Sequence, residues 1–131
     1  MTRVIVVAAV IERQDRFLVT RRQDGVHLAG FWEFPGGKVA DGESHTEALC
    51  REIHEELDVN IVVRDLVLET SHQYPDRAVT LFFYRCDLVG TPRPMIGQEM
   101  AWVAGDELPS LNFPPADDEL IRRLTDCRGG P

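Results

Sequence analysis

The sequence predicts an α/β sandwich formed as one domain over residues 1–131. Three patterns predict it. A continuous β-branched run at residues 4–11 is what a strand covered on both faces needs. Residues 43–57 switch to a helical period, with Ala48, Leu49, Ile53 and Leu57 recurring at spacings of one, three and four between charges. Strand-like stretches then return at residues 61–68, 79–84 and 100–103, and a second amphipathic segment closes the chain. A helix between strands and another at the end implies layers, although pattern alone leaves the strand order open.

The elements follow in order. Residues 12–16 are polar and turn-like, and residues 17–20 resume an apolar strand, which together predict a hairpin. Residues 21–30 are polar and contain Gly, so they read as a loop. Residues 31–34 are short and aromatic, punctuated by Pro35-Gly36-Gly37. Pro114-Pro115 introduces the last helix, with Leu120, Ile121 and Leu124 on its buried side. Residues 128–131 are expected to fray. There is no internal repeat, low-complexity tract or linker.

Composition bounds the function. Hydrophobic residues make up 44% and charged residues 27%, as in ordinary globular domains. The formal net charge of −8 argues against duplex nucleic acid, whose binding depends on Lys and Arg neutralising phosphates. An acidic protein can still act on a small polyphosphate if a metal cation supplies positive charge locally. Cys50, Cys86 and Cys127 are odd in number and lack metal-ligand spacing, which suits a reduced, cytoplasmic setting. The longest apolar run is far too short for a membrane span and only partly follows a signal-peptide pattern. No membrane partner is expected, and either a monomer or a homodimer is compatible with the sequence. His27, His45, His54 and His72 show no ligand spacing, His54 reads as a helix surface residue, and Cys50 reads as a small core filler.

The chemistry concentrates between Gly37 and Val59. On a helix, Glu52, Glu55 and Glu56 stand at i, i+3 and i+4 and share one face. Carboxylates packed this way repel, by a few tenths of a kcal/mol per pair or more, roughly. A hard divalent cation is the simplest compensation, and Mg²⁺ is commonly held by a few carboxylates while phosphates and waters complete its shell. The bland alternative is a solvated acidic helix face.

The full spacing favours the metal. Gly37, Glu43, Arg51, Glu52, Glu55 and Glu56, with Ile53 and Val59 at the bulky aliphatic positions, resemble the Nudix box, Gly-x5-Glu-x7-Arg-Glu-U-x-Glu-Glu-x-Gly-U. Six fixed positions coincide by chance on the order of 10⁻⁷ per window at average residue frequencies. Asp58 departs from the pattern where the family carries Gly, a left-handed position that Asp tolerates at modest cost.

The resemblance implies an α/β/α sandwich with a mixed sheet, a loop–helix–loop box and a C-terminal helix. It also implies Mg²⁺-dependent attack of water on a phosphoanhydride, with Mn²⁺ as a substitute. Carried over, Glu52, Glu55 and Glu56 are metal ligands, with the Gly37 carbonyl as a further one. Glu43 and Arg51 form a structural ion pair. Glu56 and Glu99 are alternative general bases, and Glu99 reads equally well as a surface loop residue.

The flanks, Thr20-Arg21-Arg22, Trp32 to Lys38, Tyr74-Pro75-Asp76-Arg77 and Phe113-Pro114-Pro115-Ala116, resemble the MutT-like branch of that family. That branch converts oxidised and ordinary deoxynucleoside triphosphates to monophosphate and pyrophosphate. By this resemblance Arg22 contacts phosphate, Phe34 walls the base pocket and Arg77 approaches the nucleotide. Their ordinary alternatives are solvated loop charges and plain core.

Asp117 stands where relatives that read 8-oxoguanine carry Asn. An amide donates and accepts at once, whereas an ionised Asp117 only accepts and suits the cytosine amino group. A buried Asp117 with a raised pKa would donate and restore guanine reading, and a third reading leaves it to favour the last helix through its dipole. The expected activity is therefore nucleoside triphosphate pyrophosphohydrolysis of 8-oxo-dGTP type, with (d)CTP or 5-methyl-(d)CTP as the alternative. A nucleotide sugar or dinucleoside polyphosphate hydrolase, or a non-catalytic ligand sensor, are the further alternatives.

Overall fold

The structure, a computed structural model, describes residues 2–23 and 30–129. His27 and most of the loop expected at residues 21–30 fall outside the described residues. Strands β1 (Thr2–Arg13) and β2 (Arg16–Arg21) form the expected hairpin. Its two central residues, Gln14 and Asp15, have φ of 53° and 63°, the doubly left-handed turn that matches strand twist. Then come β3 (Trp32–Glu33), β4 (Gly36–Lys38), α1 (His45–Leu57), β5 (Asn60–Gln73), β6 (Arg77–Val89), β7 (Glu99–Ala104) and α2 (Asp118–Gly129). Short 3₁₀ turns occupy Gly105–Ser110 and Pro115–Asp117.

The sheet is mixed, in the order β3-β2-β1-β6-β5, with β4 added to β1 and β7 added to β2. β1 runs parallel to β6, and β5 returns antiparallel along it. The alternation of β1 explains its unbroken apolar run. Val7, Ala9 and Ile11 pack under Ala48, Leu49, Ile53 and Leu57 of α1. Ala8 and Val10 face the opposite way, into a second core with Leu120, Ile121 and Leu124 of α2. With every second side chain buried on each face, β1 can carry no polar residue over residues 7–11. This is the expected α/β/α sandwich.

The sheet differs from the sequence reading in the extent of β5 and β6 and in the presence of β4. β5 and β6 run well beyond residues 61–68 and 79–84, because their outer halves alternate polar residues on exposed positions. β4 was not anticipated at all. A Cβ built on Gly36 would lie 2.0 Å from the Val7 carbonyl oxygen, so only glycine lets this strand close on β1. Among the described residues, no helix is long and apolar enough to cross a membrane.

Candidate active site

Helix α1 is fixed at both ends. At its start the Ser44 hydroxyl accepts from the Glu47 amide at 3.1 Å, and the Glu47 carboxylate accepts from the Ser44 amide at 2.9 Å, a reciprocal capping box. At its end Asp58 adopts the left-handed conformation, φ 52° and ψ 44°, and its amide donates to the His54 carbonyl. The Arg93 guanidinium pairs with the Asp58 carboxylate and holds its pKa down. Asp thus fills the position where the box pattern carries Gly.

Arg51 organises the acidic face. Its Nε and Nη2 donate to the two Glu43 carboxylate oxygens at 2.7 and 2.9 Å. Nη2 also reaches the Lys38 carbonyl at 3.2 Å, tying the loop after β4 to the helix. The hydrogen bonds from Arg51, joined by the Ala40 amide, hold the Glu43 carboxyl down at about 2. Nη1 donates to Glu52 Oε1 at 2.9 Å and lies 3.6 Å from Glu55 Oε2.

Glu55 is 57% exposed, whereas Glu56 is half-buried with its Oε2 sealed from solvent and lacking any hydrogen-bond partner. Burial, then the nearby charges of Glu33 and Glu52, push the Glu56 carboxyl up to about 8, with Arg22 opposing. Gly37 closes this corner from β4. A Cβ on it would fall 2.3 Å from the Glu52 carboxyl carbon.

Among the described residues no three carboxylate, imidazole or thiol side chains converge to enclose an ion. The donor set nonetheless fits a hard divalent cation. It offers only oxygens, it is negative, and the orphaned Glu56 oxygen requires either a proton or a cation.

Beside Gly37 opens a cleft of about 310 Å³, lined among others by Arg22, Glu33, Phe34, Gly37, Arg77 and Asp117. Five chain segments contribute, namely residues 4–8, Arg22, residues 33–38, residues 74–83 and residues 114–117, so the sheet topology assembles it. Arg22 Nη1 pairs with Glu33 Oε2 at 2.9 Å, yet burial outweighs this contact and raises the Glu33 pKa. Asp117 is 5% exposed. Burial first, then Glu33 and Asp118, push its carboxyl up to about 7.

Phe34 stacks on Phe113 at 5.4 Å and meets Phe83 edge-on at 6.1 Å, so it belongs to the core as well as to the cleft wall. Arg77 lies 5.9 Å from the Tyr74 ring at the rim.

The structure therefore brings Arg22, Phe34, Gly37, Arg77 and Asp117 to one cleft, next to the face of α1 that carries Glu52, Glu55 and Glu56. Glu99 stands apart. It opens β7, is 63% exposed and pairs with Arg21 at 3.1 Å. His54 is exposed on α1, His45 shares a 2.7 Å hydrogen bond with the Tyr84 hydroxyl, and His72 packs on Tyr74. Cys50 is half-buried against the α1 core and Cys86 is fully buried, its thiol pushed up to about 12 by burial. Glu33 was missed by sequence reasoning. Its signal was an acid between two aromatics on a two-residue strand, a position that buries one side chain in two.

The NUDIX domain profile matches residues 6–123. The chain is 38% identical over 125 residues to an 8-oxo-dGTP diphosphatase of Haemophilus influenzae, covering 93% of this chain and 92% of that protein. It is 34% identical over 129 residues to the CTP pyrophosphohydrolase of Escherichia coli, covering 98% and 96%. The solution structure of the E. coli ORF135 protein superposes with a TM-score of 0.87 at 33% identity, covering 98% of this chain and 93% of that one. Nudix hydrolases generally require a divalent metal, which agrees with the oxygen-only donor set on α1. A box spaced along α1 and braced by Glu43 and Arg51, a sandwich fold shared end to end and a matching profile lead to one conclusion: the chain belongs to the Nudix family, the hydrolases of phosphoanhydride bonds.

Proposed function

We propose that this chain hydrolyses 8-oxo-dGTP to the monophosphate and pyrophosphate with Mg²⁺, Mn²⁺ serving as a substitute, and that it cleans the cytoplasmic nucleotide pool. The observation that carries this reading is Asp117, buried in the cleft with its carboxyl pushed up to about 7. A protonated carboxyl donates through its hydroxyl and accepts through its carbonyl. It thereby offers 8-oxoguanine the same donor and acceptor pair as an amide, one for O6 and one for N7–H. The similarity to the Haemophilus diphosphatase supports the same assignment.

Placement supports the remaining roles. Glu52, Glu55, Glu56 and the Gly37 carbonyl would hold the metal, which would supply charge neutralisation for the polyphosphate and lower the pKa of a water. Arg22 contacts phosphate from the cleft, Arg77 closes on the nucleotide at the rim, and Phe34 backs the base with its buried ring. Glu43 and Arg51 brace the loop against the helix. Of the two proton acceptors considered, Glu56 is favoured by its orphaned oxygen, while Glu99 is exposed and engaged by Arg21. The protein works as one domain, as monomer or homodimer, without duplex nucleic acid or membrane.

A second reading is favoured by the same residue. Above about pH 7 Asp117 is a carboxylate and accepts from the cytosine N4 amine, which agrees with the similarity to the CTP pyrophosphohydrolase. Pyrophosphate release with Mg²⁺ from 8-oxo-dGTP, dGTP, CTP, dCTP and 5-methyl-dCTP, at pH 6 and pH 8.5, separates the two. A preference for 8-oxo-dGTP of at least about tenfold at pH 6 is expected, the margin one base-reading contact supplies. A cytosine preference at both pH values replaces the first reading with the second. No hydrolysis of any of these substrates sinks both.

A further inference from the structure

Residues 90–98, between β6 and β7, cross the C-terminal end of α1. The Arg93 amide donates to the Leu57 carbonyl at 2.8 Å and the Met95 amide to the Glu56 carbonyl at 3.0 Å. The same Glu56 carbonyl accepts a second bond, from Gln98 Nε2 at 3.0 Å. The other end of that amide, Gln98 Oε1, accepts from the Ile96 amide at 3.0 Å. Carbonyls in the last turn of a helix are ordinarily left to water or to a cap. Here a strap that connects two strands of the sheet takes them, and Gln98 is the side chain that completes it.

Gln98 is 7% exposed, one of few buried polar side chains among the described residues. Both ends of its amide are engaged, so it acts as a clamp rather than as filler. It immediately precedes β7, which is bonded to β2 along its whole length. The clamp therefore links the register of the sheet to the last turn of α1. The apolar stripe of α1 decides which face is buried, but apolar contacts are non-directional and set the axial position of the helix end only loosely. Directional bonds to the Glu56 carbonyl set it firmly. The same strap supplies Arg93 to Asp58, at the one position where the box departs from its pattern.

We propose that Gln98 is a positioning residue for the Nudix reaction: its clamp on the Glu56 carbonyl fixes the last turn of α1 and so aims the carboxylates of Glu52, Glu55 and Glu56. This rests on reading those three carboxylates as the metal-binding and catalytic set. A displacement of about 1 Å at such a site costs roughly 10²-fold in rate, and supporting residues behind metal ligands are worth about 10- to 100-fold in affinity or activity.

Two variants of nearly unchanged volume test it. Gln98→Met removes both hydrogen bonds, and Gln98→Glu keeps the acceptor but turns a carboxylate toward the Glu56 carbonyl. Both are expected to lower kcat about 10- to 100-fold with the nucleotide KM within about twofold, Gln98→Glu the more severely. Mg²⁺ affinity, read by calorimetric titration without nucleotide, should weaken about tenfold. In metal-free protein, amide exchange at Arg93 and Met95 should accelerate while the amides of β5 and β6 keep their protection.

A space-filling role predicts Gln98→Met close to wild type in kcat and Mg²⁺ affinity. That result, with unchanged exchange at Arg93 and Met95, overturns the proposal. If the wild type cleaves no phosphoanhydride, the functional reading falls separately, and the exchange measurement still decides what Gln98 does.

Discussion

Asp117 shows how burial converts an acceptor into a donor. Its carboxyl ordinarily ionises near 3.8, but at the cleft wall it remains protonated up to about 7. The sign of the functional effect follows. On the proposed function, the protonated side chain would donate to 8-oxoguanine below about 7, and above it that donor would be lost. Asp117→Asn provides a donor at every pH, so its kcat/KM for 8-oxo-dGTP should stay within about threefold of wild type at pH 6 and show no decline toward pH 8.5 attributable to this residue. Asp117→Ala removes the contact and should cost about 10- to 100-fold. Wild type and Asp117→Asn falling in parallel with pH would exclude Asp117 as the donor. Glu56 is the second residue whose proposed role opposes its burial. Glu56→Gln removes a carboxyl that desolvation raises to about 8, so Tm at pH 8 should rise, while kcat falls about 10²- to 10⁴-fold. Calorimetry and steady-state kinetics on one preparation check both halves.

Strand β4 and helix α1 meet at two adjacent glycines that do different work. A Cβ on Gly36 would strike the Val7 backbone carbonyl, which cannot move without breaking the β1–β4 pairing. Gly36→Ala should therefore destabilise the fold by about 1–3 kcal/mol or more. A Cβ on Gly37 would strike the carboxyl end of Glu52, which can swing away. Gly37→Ala should leave Tm within a few degrees yet lower kcat about 100-fold, because Glu52 would be displaced from the metal position of the proposed function. Equal losses of stability in the two variants would show that Gly37 serves the strand rather than the site. The pair also marks what the sequence could disclose. The α1 box was legible because helical geometry forces its carboxylates into a fixed spacing, whereas the sequence left the Asp58 turn open, since Asp tolerates the left-handed region without requiring it. β4 was illegible because Gly-Gly-Lys has no strand preference of its own; its pairing comes from a close approach to a strand nearly 30 positions earlier. Gln98 was illegible for the same kind of reason, since its partner carbonyl lies 42 residues away.

At the scale of the molecule, the cleft exists because β1 pairs in parallel with β6 and places residues from distant segments around one opening. That topology was beyond pattern reading, although the two-sided burial of β1 was not. The same convergence gathers buried acids: Glu33 and Asp117 line the cleft, and the charge of Glu33 raises both Asp117 and Glu56. In the unfolded chain these groups ionise near 3.8 to 4.5, whereas in the folded protein Asp117 waits until about 7 and Glu56 until about 8, with Glu33 also raised. Between those limits the folded state binds more protons than the unfolded one, so stability falls as pH rises. At about 1.4 kcal/mol per pKa unit, Asp117 alone costs about 4 kcal/mol by pH 8. Glu43 and Asp58, both lowered by arginine, act oppositely, and their stabilisation is lost as pH falls below the ordinary carboxyl range. The metal-free protein should accordingly be most stable near pH 5 and melt several degrees lower at pH 8. Mg²⁺ should recover most of the loss at pH 8, since a cation that binds only the folded, ionised site stabilises it by mass action. The double variant Glu56→Gln, Asp117→Asn should flatten the decline between pH 5 and pH 8 and abolish the Mg²⁺ effect. Scanning calorimetry across that range decides it, and a wild-type Tm that rises steadily from pH 5 to pH 8 without metal would mean that these carboxyls are already ionised in the folded protein.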